Sequence, residues 1–190
     1  MHHHFKIYKP ANFLSQFVSN TKLKRNKLLG ELGNFPEGTM AIGRLDAMSE
    51  GLLLLTTDGM FSEEIRSAKY EKEYYAQVDG IITDEALEIL QTGVEIGFEG
   101  IKYMTKPCKA ELMNSPTHLN LAEFKIRGEH HGPTSWVSIT LTEGKYRQVR
   151  KMTAAVGFAT LRLIRYRVGT VTLKNMSPRE IKVLKTSFLQ

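Results

Sequence analysis

The sequence predicts an α+β fold, a mixed and mostly antiparallel sheet with flanking helices. Three observations predict it. Short apolar strand-like runs outnumber helical ones; few of them are separated by a helix of crossover length; and turn pairs such as Asp58-Gly59 and Asp79-Gly80 close the runs abruptly. The chain has 190 residues, 42% apolar and 24% charged, which is enough for one substantial core. A single domain over 1–190 is expected, with two fused subdomains as the other arrangement.

Taken in order, residues 5–9 and 39–44 read as strands. The aliphatic run Leu52-Leu53-Leu54-Leu55 reads as a buried strand over 52–57. Residues 61–68 form a short helix and 74–78 a strand. Thr83 caps a helix to about residue 91, with Gly93 beyond its end. Strands follow at 109–113, 122–127 and 136–142, the last with clear alternation from Trp136 to Thr142. Residues 145–156 read as a helix that buries Val149, Met152 and Val156 and presents Arg147, Arg150 and Lys151 on another face. Strands at 161–165 and 170–173 precede a last helix opened by Ser177-Pro178-Arg179-Glu180, a capping serine with Glu three residues on. His2, His3 and His4 are read as native sequence or a tag remnant, and residues 1–4 are kept out of the functional reading.

Charge narrows the partner. The net charge is +6 and the pI is near 9.4. Residues 1–30 hold Lys6, Lys9, Lys22, Lys24, Arg25 and Lys27 with no acid; residues 145–167 hold Lys145, Arg147, Arg150, Lys151, Arg162, Arg165 and Arg167, again with no acid. The remainder of the chain is net negative. Concentrated cations of this kind are the footprint of nucleic-acid binding, and solvated basic faces are the plainer reading.

Other chemistries lack their residues. No glycine-rich phosphate loop or dinucleotide fingerprint is present, so no nucleotide cofactor is expected. Cys108 is the only cysteine, and His130-His131 has no second cluster at ligand spacing, so no metal is expected. No stretch approaches the ~20 apolar residues of a membrane span and no secretory signal is visible, so the expected location is cytoplasmic. A monomer is expected.

One run stands apart. Gly43-Arg44-Leu45-Asp46-Ala47-Met48-Ser49-Glu50-Gly51 leads straight into the Leu52–Leu55 strand. A carboxylate in a turn between two apolar strands can be held rigidly at the mouth of a cleft, although a lone loop aspartate usually only caps a turn. The run as a whole resembles the signature of the RsuA-type ribosomal RNA pseudouridine synthases, the family that includes RluB, RluE and RluF. Lys72-Glu73-Tyr74-Tyr75-Ala76-Gln77-Val78-Asp79-Gly80 resembles that family's second motif. Its third is matched by Glu143-Gly144-Lys145-Tyr146-Arg147-Gln148-Val149-Arg150-Lys151-Met152. Leu161-Arg162-Leu163-Ile164-Arg165 with Val168-Gly169 resembles the closing motif. Residues 133–136, 150–154 and 156–158 are most similar to the RluE branch, which acts on large-subunit (23S) rRNA. Like that branch, the chain leaves no room for an S4 RNA-binding domain before the strand at Phe5.

The resemblance implies a pseudouridine synthase fold with a central RNA-binding cleft, and isomerisation of uridine without a cofactor. The N1–C1′ bond breaks, the uracil turns and C5 bonds to the sugar. It implies Asp46 as the essential carboxylate, with a cation beside it to offset desolvation, and Arg150 as that cation. Tyr74 is implied as the active-site tyrosine, with Tyr75 on the opposite face of the strand. Leu163 lines the base pocket or simply packs the core. Arg44 fills the space of an extruded base, grips the backbone, or makes a structural ion pair. Lys9, Lys72, Arg147, Lys151, Arg162, Arg165 and Arg167 are expected to contact phosphates. The partner is then rRNA, free or in an assembly particle. The alternatives are the same chemistry on small-subunit rRNA or tRNA, and a non-catalytic assembly factor.

Overall fold

The computed structural model describes residues 2–20, 26–67 and 69–185. Lys22, Lys24 and Arg25 of the N-terminal basic block lie outside the described residues. One nine-stranded sheet dominates. Strand β1 (His4–Lys9) pairs with β3 (Glu50–Thr56), the buried leucine run, in antiparallel register, and β2 (Met40–Ile42) also pairs with β3. His4, set aside with the possible tag, opens β1, is buried, and shares a hydrogen bond with Thr56 Oγ1 at 2.9 Å. Helix α1 (Gly59–Arg66) follows, with Asp58 accepting from the Phe61 amide as its cap.

Next come β4 (Lys72–Asp79) and α2 (Asp84–Thr92). Thr83 caps α2 and Gly93 ends it with φ 111°, as the sequence indicates. Then β5 (Glu95–Phe98) and β6 (Ile101–Met104) form a separate hairpin, followed by β7 (Lys109–Met113) and β8 (Thr134–Leu141). Helix α3 (Gln148–Ala155), β9 (Thr160–Val168), β10 (Val171–Thr172) and β11 (Ile181–Leu184) complete the order. The main sheet runs β11-β1-β3-β9-β4-β8-β7, with β10 on β9. Every pairing is antiparallel except β3 with β9. No helix among the described residues is long and apolar enough to cross a membrane.

The side-chain alternation of the strands divides the core. Ala76, Val78, Val137, Ile139 and Leu163 pack against Leu87 and Leu90 of α2 and Val149 and Met152 of α3. Tyr8, Leu52, Leu54, Tyr75, Trp136 and Ile164 form a second cluster with Leu173 and Met176. Phe5, Ile7, Leu53 and Leu55 form a third with Leu29 and Leu45. Leu45, next to Asp46, is thus anchored in the core.

Three expectations fail, each for a physical reason. Residues 122–127 alternate but form no strand; the Ala122 carbonyl accepts from Arg162 and the Phe124 ring lies under its guanidinium, so the segment covers buried side chains instead of joining a ladder. The last helix does not form. The Ser177 amide does donate to Glu180 Oε2 at 2.7 Å, but Arg179 adopts φ 73° and the chain turns into β11, where it pairs with β1. Tertiary pairing overrides a local capping signal. Finally, residues 145–147 are outside α3. Arg147 precedes the helix in left-handed backbone, φ 52°, and so is not one of its helix-face cations.

Candidate active site

The loop between β2 and β3 carries Asp46, and hydrogen bonds from Ser15, Asn12 and Lys9 hold it. Ser15 Oγ accepts from the Leu45 amide at 2.9 Å and donates to the Leu45 carbonyl at 2.8 Å. The Asn12 amide donates to the Ala47 carbonyl at 2.8 Å. Lys9 is fully buried, and its ammonium donates to the carbonyls of Phe13, Pro10 and Ala47 at 2.7, 2.9 and 3.3 Å. Three acceptors match its three protons. Burial pulls the Lys9 pKa down to about 7, against the partial support of Glu50 and Asp46. Lys9 is therefore a bolt under the Asp46 loop, and the expectation of a phosphate contact fails because no part of it reaches the surface.

The loop ends at Gly51, where β3 meets β9 in parallel. Gly51 has φ 105°, and a Cβ there would stand 2.4 Å from the Arg165 carbonyl oxygen. Only glycine permits that approach. The glycine of the motif thus serves the junction that fixes Asp46 relative to β9.

Two guanidinium groups face the Asp46 carboxylate. Arg147 Nη1 lies 3.3 Å from Asp46 Oδ2 and Arg150 Nε lies 3.9 Å from the same oxygen. Arg150 also holds the loop, donating to the Ser49 hydroxyl and the Met48 carbonyl at 3.4 Å and to Thr160 O at 3.2 Å. Its Nε is buried without a hydrogen-bond partner. Burial, then Arg147 beside it, lowers the Arg150 pKa, with Asp46 and Glu50 acting in the opposite direction. The sequence pointed to Arg150 as the partner; the left-handed turn at Arg147 makes Arg147 the nearer cation.

A cleft opens above Asp46, lined by Arg44, Leu45, Ser49, Tyr74, Leu141, Lys145, Arg147, Gln148 and Leu163 among others. Tyr74 is half-buried and faces it, whereas Tyr75 on the other side of β4 is buried and stacks on Tyr166 at 4.7 Å. Leu163 serves both readings, packed in the core and forming the cleft wall. Arg44 is exposed at the rim, and its Nη2 donates to Gln16 Oε1 at 3.0 Å instead of pairing with an acid. A second chamber shares Arg44, Tyr74, Gly144 and Lys145 and adds Arg66, Lys72 and Arg165.

Other predicted cations go elsewhere. Lys151 donates to the Gly97 carbonyl at 2.6 Å and sits 3.9 Å over the Phe98 ring, facing the β5–β6 hairpin. Arg162 is buried in a two-point pair with Glu50, at 2.7 and 3.0 Å. Arg167 pairs with Glu73 at 2.7 Å and Glu71 at 3.1 Å. Neither Arg162 nor Arg167 is a free surface cation, because β9 passes Glu50 of β3, Glu73 of β4 and Glu71 just before β4, which neutralise them.

Sequence reasoning missed the frame of the loop at 143–148. Buried Glu143 accepts from the Tyr103 hydroxyl, from the Lys106 amide at 3.0 Å and from Gln148 Nε2 at 2.8 Å. Burial pushes its carboxyl up, but these hydrogen bonds outweigh burial and hold it below the ordinary value. Gln148 Oε1 in turn accepts from the Lys145 amide at 3.0 Å. That glutamine, three residues after Lys145, has the spacing of a helix-start clamp, which was the available signal.

The chain is similar to known proteins along most of its length. Residues 3–155 match the family model described as RNA pseudouridylate synthase. The chain is 39% identical over 181 residues to "Ribosomal large subunit pseudouridine synthase E" of Vibrio parahaemolyticus, covering 93% of this chain and 71% of that protein. It is 36% identical over 174 residues to the protein of the same name from Xanthomonas axonopodis pv. citri, covering 90% and 88%. A solved pseudouridylate synthase superposes with TM-score 0.78 at 26% identity, over all of this chain and 73% of the other. The chain belongs to the RNA pseudouridylate synthase family and has that family's fold. It is an isomerase acting on RNA.

Proposed function

We propose that this chain converts a specific uridine of large-subunit (23S) rRNA to pseudouridine, with Asp46 as the essential carboxylate. The observation that carries the reading is the Asp46 oxygen 3.3 Å from Arg147 and 3.9 Å from Arg150, on a loop held by Lys9, Ser15 and Arg150, inside a cleft walled by Tyr74 and Leu163. A protein that only bound RNA would not need an acid in a cationic cleft, since a carboxylate repels phosphate. The large-subunit assignment draws on the names of the relatives from Vibrio and Xanthomonas.

The target uridine leaves its stack to enter the cleft. Tyr74 offers an aromatic face to the uracil and a hydroxyl for proton transfer. Leu163 excludes water from the base, and Arg44 at the rim holds the backbone or occupies the vacated stack. Asp46 meets the nucleoside with its charge already offset by Arg147 and Arg150. The N1–C1′ bond breaks, the uracil turns, C5 joins C1′, the C5 proton is released and N1 takes up a proton, so that the product is an isomer of the substrate. No electron is transferred, and the step needs no nucleotide cofactor.

Release of tritium from 5-tritiated uridine tests the substrate. Release from unmodified 23S rRNA, with little from 16S rRNA or tRNA, is the expected result. Release confined to 16S rRNA or tRNA would overturn the large-subunit assignment, and RNA binding without release would favour an assembly factor.

A further inference from the structure

The second chamber is cationic without compensation. Arg44, Arg66, Lys72, Lys145 and Arg165 line it together with Tyr74 and apolar residues, and no Asp or Glu does. Two of the five cations, Lys72 and Arg165, are buried, at 8% and 5% exposure. Their neighbours on the same strands differ from them: Arg162 and Arg167 each pair with glutamates, whereas Arg165 makes no ion pair among the described residues. Its Nε donates to the Leu52 carbonyl at 2.8 Å, and its Nη2 is buried with no partner. Lys72 finds only carbonyls, Thr142 at 2.9 Å and Ser67 at 3.5 Å. Burial first, then the proximity of Arg165, lowers its pKa. A buried cation with unused donors and a like charge beside it is costly unless an anion completes the site.

The chamber's position says which anion. Its walls include Tyr74, Arg44 and Lys145, which also line the Asp46 cleft. An occupant would therefore lie next to the base-binding cleft, against residues that both share. A guanidinium and an ammonium lining one chamber suit a phosphodiester, which carries one charge and two free oxygens. We propose that this chamber is a binding site for one RNA backbone phosphate next to the target uridine, with Arg165 and Lys72 at its floor and Arg66 and Lys145 at its rim. The inference rests on the reading that the RNA strand enters the cleft at Asp46. Closing this site on a phosphate would set the register of the strand, so that only one base falls above the carboxylate.

The test uses the full chain and tritium release from an rRNA fragment that the wild type modifies. Failure of the wild type on every RNA would refute the underlying reading; differences between variants and wild type concern the chamber alone. Arg165→Met is expected to raise KM about tenfold or more, as for a lost charge-assisted hydrogen bond, with a smaller change in kcat. Arg165→Lys should recover part of the loss. Without RNA, Arg165→Met should melt at or above the wild-type temperature, because an unpaired buried charge is gone. A large fall in melting temperature with unchanged KM would make Arg165 structural and overturn the proposal. Arg66→Ala, at the exposed rim, is a second variant whose folding is not at stake; it should shallow the salt dependence of RNA binding, and an unchanged slope would count against the site. RNAs with a single methylphosphonate on either side of the target uridine locate the contact. One position should weaken wild-type binding and leave Arg165→Met indifferent; equal sensitivity of both proteins at both positions would overturn the proposal. Inorganic phosphate should compete with RNA for wild type and less for Arg165→Met, whereas phosphate that binds without competing would identify a free-anion site instead.

Discussion

Arg162→Ala should destabilise the fold and not merely weaken RNA binding. Arg162 Nε and Nη2 hold the two oxygens of Glu50 at 2.7 and 3.0 Å, and the Glu50 side chain has no solvent exposure. Removing the arginine strands a carboxylate in the core, strips the Ala122 carbonyl of its donor and leaves Phe124 without its cation. Breaking a buried pair from one side costs about 3–5 kcal/mol, against a total domain stability of about 5–15 kcal/mol. With a urea slope of about 2 kcal/mol per molar, the unfolding midpoint should fall by about 2 M. Glu50 also lies in the parallel register with Ile164, beside the Gly51–Arg165 contact, so the damage reaches the Asp46 loop. The double variant Arg162→Met/Glu50→Leu should recover most of the loss, since apolar replacement of a buried pair is often neutral. Equilibrium urea unfolding of all three proteins is the assay. An unchanged midpoint for Arg162→Ala, with a shallower salt dependence of RNA binding, would refute the reasoning and restore Arg162 as a phosphate contact.

Further expectations follow from single contacts. Gly51→Ala places a Cβ 2.4 Å from the Arg165 oxygen at φ 105° and should cost more than about 2 kcal/mol by the same unfolding measurement; a neutral change would show that the strand junction yields. Ser15→Ala removes both hydrogen bonds to Leu45 and should lower stability by about 1–3 kcal/mol and lower kcat more than it raises KM. A normal kcat would show that the Asp46 loop needs no such support. Lys9 gives a pH signature. Its folded pKa of about 7 lies below the ordinary 10.5, so between those values the unfolded chain holds the extra proton, and the stability linked to Lys9 rises with pH. The stability of the wild type relative to Lys9→Met should therefore increase from pH 7 to about 9.5; a gap that is flat or shrinks would contradict a buried, proton-depleted Lys9.

Much of the fold was legible because local and tertiary signals agreed. The Leu52–Leu55 run, the alternation from Trp136 to Leu141 and the Thr83 and Gly93 caps each point to the element that forms. The failures fall where they disagree. Ser177–Glu180 carries a helix-start signal, but pairing of Ile181–Leu184 with β1 wins. The β5–β6 hairpin turns at Glu99-Gly100, with φ 47° and 84°. A primed turn favours Asn or Asp before the glycine, and Glu99 hid it. At the site, ordered motifs placed Asp46, Tyr74 and Leu163 around one cleft, but counting cations could not tell partners from contacts. Arg162, Arg165 and Arg167 look alike in sequence. Two are neutralised by glutamates more than ninety residues away in sequence and one is not. The same limit explains Arg147, whose left-handed backbone has no signal in a run that otherwise reads as helix.

In the proposed function the Asp46 carboxylate performs the isomerisation, in a site built to hold it. Asp46→Asn keeps the shape of the side chain and removes its charge. Tritium release from 5-tritiated uridine in unmodified 23S rRNA should fall to background, while RNA binding at matched salt stays at or above the wild-type level, because a repelling acid is gone. Release by Asp46→Asn at the wild-type rate would contradict the account.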